Sequence, residues 1–107
     1  MRAALRALLD RTEFEVIDTA GDGLRALDLV IRHRPDVLLL DLGMPRVSGV
    51  EIIADVRRLS PQTKVVIVSG YFTDDLARLT AEAGAHAYVV KHDLRATLLG
   101  ELRRVVG

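Results

Sequence analysis

Three side chains of this 107-residue chain follow directly on apolar runs: Asp41 after residues 37–40, Ser69 after 65–68, and Lys91 after 87–90. A carboxylate, a hydroxyl and an ammonium gathered in one crevice suit phosphoryl chemistry. The carboxylate can accept a phosphoryl group as an acyl phosphate. The hydroxyl and the ammonium can hold the phosphoryl oxygens, one by hydrogen bond and one by charge. Each residue also has a plainer role open to it. A carboxylate often starts the loop after a strand, Ser69 can cap the turn before Gly70, and Lys91 can be a solvated edge lysine.

The three can meet only if the runs before them are neighbouring strands. Two periods alternate along the chain. Residues 2–10 read as a helix carrying Leu5, Leu8 and Leu9 at helical spacing, and 14–19 (FEVIDT) as a short strand. Asp22 is placed to cap the next helix, on which Leu24, Leu27 and Ile31 share a face, until Arg34-Pro35-Asp36 stops it. The run 37–40 is continuously apolar, as expected of a strand covered on both faces. A loop at Gly43-Met44-Pro45-Arg46 leads to a helix from about Ser48, with Ile52, Val56 and Leu59 on one side and Ser60-Pro61 at its end. Residues 64–69 form another buried strand. Thr73 or Asp74 can cap a helix bearing Leu76, Leu79 and Ala83, and Gly84 ends it before the last strand, 87–90. Leu94, Leu98, Leu102 and Val105 make an amphipathic closing helix.

Four strands thus alternate with five helices. That order predicts an α/β domain with a parallel sheet, helices on both faces and right-handed crossovers. Sites in such sheets form at the carboxyl ends of the strands. Those ends are Asp18–Asp22, Asp41, Ser69 and Lys91.

Composition narrows the function. Fifteen basic residues balance fifteen acidic ones, which argues against broad electrostatic binding of nucleic acid or an anionic membrane. Without cysteine there is no disulfide, thiol catalysis or cysteine metal site. His33, His86 and His92 lack metal-ligand spacing, so surface roles are expected for them. The apolar runs are too short to span a bilayer, and the Arg-broken start is not patterned as a signal peptide. One cytoplasmic domain, 1–107, is expected.

The stretches LLLDLGMPRVSG (38–49), VVIVSGY (65–71) and AGAHAYVVK (83–91) resemble the receiver domain of bacterial two-component response regulators, a flavodoxin-like fold. The resemblance covers residues 2 to 107. It implies that Asp41 is the phosphoacceptor, Ser69 the switch hydroxyl, Lys91 the phosphate-binding lysine and Tyr88 the aromatic switch residue. It places a Mg²⁺ ligand carbonyl at Gly43, with Asp41 as the carboxylate ligand. The partners it implies are a sensor histidine kinase or a phosphotransfer protein. The opening RAALRALL looks most like receivers joined to helix-turn-helix output domains.

The chain departs from the pattern at its start. A receiver begins with an apolar strand ending in two acidic residues, whereas this sequence opens inside the helix that follows. His92 stands where many receivers carry Pro. In the receiver fold the first strand lies between the strands at 14–19 and 37–40, so its loss leaves two inner edges unpaired. Each buried unpaired backbone group costs about 1–3 kcal/mol. Three repairs are open. The 14–19 strand can slide onto 37–40, two copies can cover each other's edges as a homodimer, or the first helix can repack; dimerisation is the one expected. Weak Mg²⁺ binding and weak phosphorylation are expected too, with Asp22 as a partial substitute for the acidic pair should 14–19 slide inward. A receiver acting without phosphorylation, by dimerisation or partner binding, is the alternative. A phosphatase of the haloacid dehalogenase type would need a second acid two residues after Asp41, where Gly43 stands. A start that is not the native one would restore the strand, and the DNA upstream of Met1 would show it.

Overall fold

A computed structural model describes residues 2–43 and 49–107, without the side chain of Arg2. Met1 and residues 44–48 lie outside the described residues. The expected Met44-Pro45 loop and the helix start at Ser48 are therefore not placed.

Three strands form one parallel sheet: β1 (Val37–Asp41), β2 (Lys64–Ser69) and β3 (Ala87–Val90), in the order β1-β2-β3. Five helices accompany them: α1 (Arg2–Leu9), α2 (Gly23–His33), α3 (Gly49–Leu59), α4 (Asp74–Ala83) and α5 (Leu94–Val106). A 3-10 turn, Lys91–Asp93, joins β3 to α5.

The central strand shows why these runs become strands. Val65, Val66, Ile67 and Val68 are fully buried, so both faces of β2 are covered. Val66 and Val68 point into a core with Leu5 and Leu9 of α1, Val89 of β3, and Leu94, Leu98 and Leu102 of α5. Val65 and Ile67 point the other way, onto Val30 of α2, Leu40 of β1, and Ile52, Ile53 and Val56 of α3. Each fully buried aliphatic side chain contributes about 1.5–3 kcal/mol. The predicted stripe of α5 is the buried one. The predicted stripe of α2 is not: Leu24 and Ile31 are 64% and 43% exposed, and Ala26, Leu29 and Val30 are the buried side chains. Leu24, Leu27 and Ile31 share a helical period, but the sheet meets the neighbouring face.

Helix ends follow local chemistry. Asp22 Oδ1 accepts the Arg25 N–H, and Thr73 Oγ1 accepts the Leu76 N–H, so Thr73 rather than Asp74 is the cap of α4. Gly84 ends α4 at φ 119°, a conformation that costs a side-chain-bearing residue about 1–2 kcal/mol.

Among the described residues the sheet has three strands, not the four expected. Residues 14–19 keep strand-like alternation, with Phe14 and Val16 half-buried and Glu15 and Ile17 exposed. They form no ladder with β1, so they have not slid onto its edge. Phe14 and Val16 pack instead on the α1–α5 side of the core. A strand needs a partner at hydrogen-bonding distance, and residue pattern alone does not supply one.

Candidate functional site

Strand order brings the site together. Asp41 ends β1, Ser69 ends β2 and Lys91 follows β3, so the three stand at the carboxyl ends of adjacent parallel strands. The register pairs Asp41 with Val68 and Ser69 with Val90, which sets the three ends nearly level. This is the edge where open α/β sheets carry ligands.

Asp41 and Lys91 are in contact. Lys91 Nζ lies 2.9 Å from Asp41 Oδ2, and the Asp41 side chain is 12% exposed against 38% for Lys91. The other carboxylate oxygen, Oδ1, accepts the backbone N–H of Gly43 at 2.8 Å. That turn leaves little room, because a Cβ at Gly43 would stand 3.3 Å from Asp41 Oδ1. The receiver resemblance implies a carbonyl role toward a metal for Gly43. Its amide contact with Asp41 had no signal beyond the two-residue spacing.

Ser69 is buried at the end of the intervening strand, and its Oγ lies 3.5 Å from the Tyr71 amide, a long contact. No hydrogen bond joins Ser69 to Asp41 or Lys91 among the described residues. The Tyr88 hydroxyl donates to the Tyr71 carbonyl at 2.8 Å, and its ring meets Phe72 edge-on with centroids 5.3 Å apart. Tyr88 thus ties β3 to the loop that leaves β2 at Ser69.

Both Asp41 oxygens are engaged within the chain, and Asp22 Oδ1 caps α2. No group of three His, Cys, Asp or Glu side chains among the described residues could hold a metal ion. Mg²⁺ sites at phosphoryl groups use one or two carboxylates with phosphate and waters. Here the ends of β1, β2 and β3 offer Asp41 as the carboxylate, so the described residues do not make a preformed metal cage.

His86 is not the surface residue expected of it. It is half-buried, and its Nδ1 accepts the Val65 N–H at 3.1 Å while its backbone N–H donates to the Val65 carbonyl at 2.7 Å. Burial, then the charges of Arg57 and Lys64, hold the imidazole pKa below its usual 6.5. A cavity of about 540 Å³ lies away from Asp41, between α1 and residues 11–16. No helix among the described residues is long and apolar enough to cross a membrane.

Comparison with known proteins agrees with the arrangement. The family described as the response regulator receiver domain matches residues 1–103. The chain is 36% identical over 101 residues to the transcriptional regulatory protein DegU of Brevibacillus brevis, covering 94% of this chain and 42% of DegU. It is 32% identical over 93 residues to the transcriptional regulatory protein PdtaR of Mycobacterium tuberculosis, covering 85% of this chain and 44% of PdtaR. The chain therefore spans less than half the length of these relatives. Among solved structures, a LuxR-family two-component response regulator from Aurantimonas sp. SI85-9A1 superposes with a TM-score of 0.90 at 26% identity, covering 98% of this chain and 76% of that one. A chain of the CheX-CheY-BeF3-Mg²⁺ complex from Borrelia burgdorferi is also similar. That structure gives a TM-score of 0.90 at 26% identity, over 99% of this chain and 81% of that chain. The sheet of parallel strands with helices on both faces is a flavodoxin-like fold, and the chain belongs to the response regulator receiver domain family.

Proposed function

We propose that Asp41 is the phosphoacceptor of this receiver domain, working in a cytoplasmic phosphorelay fed by a sensor histidine kinase or a phosphotransfer protein. The observation that carries this is the Asp41–Lys91 contact of 2.9 Å at the carboxyl ends of the strands. In the transfer, an Asp41 oxygen forms a bond to phosphorus as the donor's bond to phosphorus breaks. The ammonium of Lys91 already stands where the incoming oxygens bring negative charge, and a preplaced cation lowers the cost of that charge. Ser69 supplies a hydroxyl to a phosphoryl oxygen, and Tyr88 follows it as the switch residue through its link to Tyr71. Asp41 and the Gly43 carbonyl would be the protein's ligands to Mg²⁺. Among the described residues the ends of β1, β2 and β3 carry one carboxylate, Asp41, and on that set weak Mg²⁺ binding and slow phosphorylation are expected.

The test is labelling by acetyl phosphate with Mg²⁺. Slow, partial, Mg²⁺-dependent labelling that vanishes in Asp41→Asn is expected. Full stoichiometric labelling would overturn the impairment, and labelling that survives Asp41→Asn would overturn the site.

A second reading is a receiver that works without phosphorylation, through self-association into a homodimer or through protein contacts. It is favoured by the engagement of both Asp41 oxygens, Oδ2 by Lys91 and Oδ1 by the Gly43 amide. No labelling together with a concentration-dependent dimer in sedimentation would establish it.

A further inference from the structure

We infer that His86 is a proton-operated latch at the amino end of the sheet. Its neutral ring ties β2 to the start of β3, and its carbonyl holds the last turns of α5 through Arg104. The latch lies at the opposite end of the strands from Asp41 and does not depend on phosphorylation there.

Hydrogen-bond geometry carries the argument. Both backbone groups of Val65 go to His86. The Val65 carbonyl accepts the His86 backbone N–H at 2.7 Å, and the Val65 N–H donates to His86 Nδ1 at 3.1 Å. The first bond extends the ladder between β2 and β3. The second stands in for a ladder bond. In a parallel pair, the Val65 N–H would meet the carbonyl of the residue two before His86. That residue is Gly84, the left-handed C-cap of α4, which has not yet entered β3. The imidazole supplies the acceptor that the backbone does not.

The ring can do this in one protonation state. Accepting at Nδ1 leaves the ring proton on Nε2. A second proton turns Nδ1 into a donor facing a donor, and the ring must turn away. Val65 is fully buried, so its N–H then loses that acceptor in a place water does not reach.

The surroundings extend the effect to α5. The charges acting on the ring are Arg57 of α3, Lys64 of β2 and Arg104 of α5, all of them cations. Arg57 donates to the Pro61 carbonyl. Arg104 pairs with Glu101 at 2.6 Å and donates from Nη2 to the His86 carbonyl at 3.1 Å. An imidazolium adds a fourth cation beside that exposed hydrogen bond, and it repels the arginine that His86 holds. The start of β3 and the end of α5 therefore loosen together. A second clasp on α5, Arg103 to Glu13 at 2.7 Å, keeps its carboxylate charged down to about pH 2. Protonation of His86 opens one clasp and leaves the other closed, so the change is local.

An NMR titration downward from about pH 7.5, roughly one unit above the ordinary histidine value, tests this. The amides of Val65 and of residues 103–106 should shift with the midpoint of the His86 ring. Hydrogen-exchange protection of Val65, corrected for the intrinsic rate, should fall at least about fivefold, the factor for one hydrogen bond. The amides of β1 should not move at that midpoint. His86→Asn keeps an acceptor and does not titrate, so both responses should vanish. Arg104→Leu should keep the response at Val65 and lose the one in α5. A ring that titrates while Val65 stays still would overturn the latch. An α5 response that survives either substitution would overturn the link to α5. Movement of β1 at the same midpoint would mean general unfolding, and would overturn a local device.

Discussion

Lys91 Nζ lies 2.9 Å from Asp41 Oδ2, although the two residues leave strands that are not neighbours. The lysine reaches across the end of β2, over the position of Ser69. A flexible four-carbon stem allows that span, and the partly exposed site leaves the ammonium room for a further anionic partner.

Replacing Lys91 should separate its structural and chemical roles. The pair is partly solvated, so Lys91→Ala should cost no more than about 1 kcal/mol in a urea titration. Labelling of Asp41 should fall far more, by about a hundredfold, because a preplaced charge acts mainly on the charge that develops during transfer. Equal losses in both measurements would make Lys91 a structural residue only.

Stability should fall on acidification through His86. Neutral Nδ1 accepts the Val65 N–H on the side of β2 that faces β3, and the protonated ring cannot. Its folded pKa is lowered, so the folded state binds the proton less readily than the unfolded chain. The contribution is full above the unfolded value of about 6.5 and is lost as pH falls from there through the folded value. His86→Asn keeps an acceptor and does not titrate. Its urea midpoint should change less between pH 7.5 and pH 5.5, taken as about one unit either side of the unfolded pKa.

Glu13 should titrate far below an ordinary glutamate. The Arg103 guanidinium donates to both of its oxygens, at 2.7 and 3.0 Å, and lowers its pKa from 4.5 to about 2. The folded state therefore releases the proton more readily, and this contribution is present above 4.5 and lost as pH falls through about 2. Arg103→Leu should return the NMR midpoint toward 4.5.

Two glycine substitutions should have opposite signs. Gly84→Ala puts a side chain at φ 119° and within 2.6 Å of Arg57, and should lower stability by about 1–2 kcal/mol. Gly100 lies inside α5 with nothing within 4 Å of an added Cβ, so Gly100→Ala should raise it by about 0.5–1 kcal/mol. Thermal melts of the two variants read the difference directly.

Much of the candidate site was legible in the residues. Asp41, Ser69 and Lys91 stand out because each follows an apolar run with a polar group suited to phosphoryl oxygens. The helix stops at Arg34 and Gly84 and the cap at Asp22 are local chemistry and needed no tertiary information, whereas the choice of Thr73 over Asp74 came from the structure. The fate of 14–19 was not legible. Its alternation says strand, but pairing requires a second backbone at the right distance, and residues 14–19 form no ladder with β1. The buried face of α2 was misread for a similar reason, since Leu24 and Ala26 compete for a sheet whose position no local pattern fixes. His86 looked like a surface residue because the demand it meets, an unpaired amide on Val65, lies 21 residues away. The sequence by itself determined the chemistry available at the strand ends, because residue type and local order set it. Only the tertiary structure decided which backbone groups go unpaired, because pairing depends on long-range neighbours.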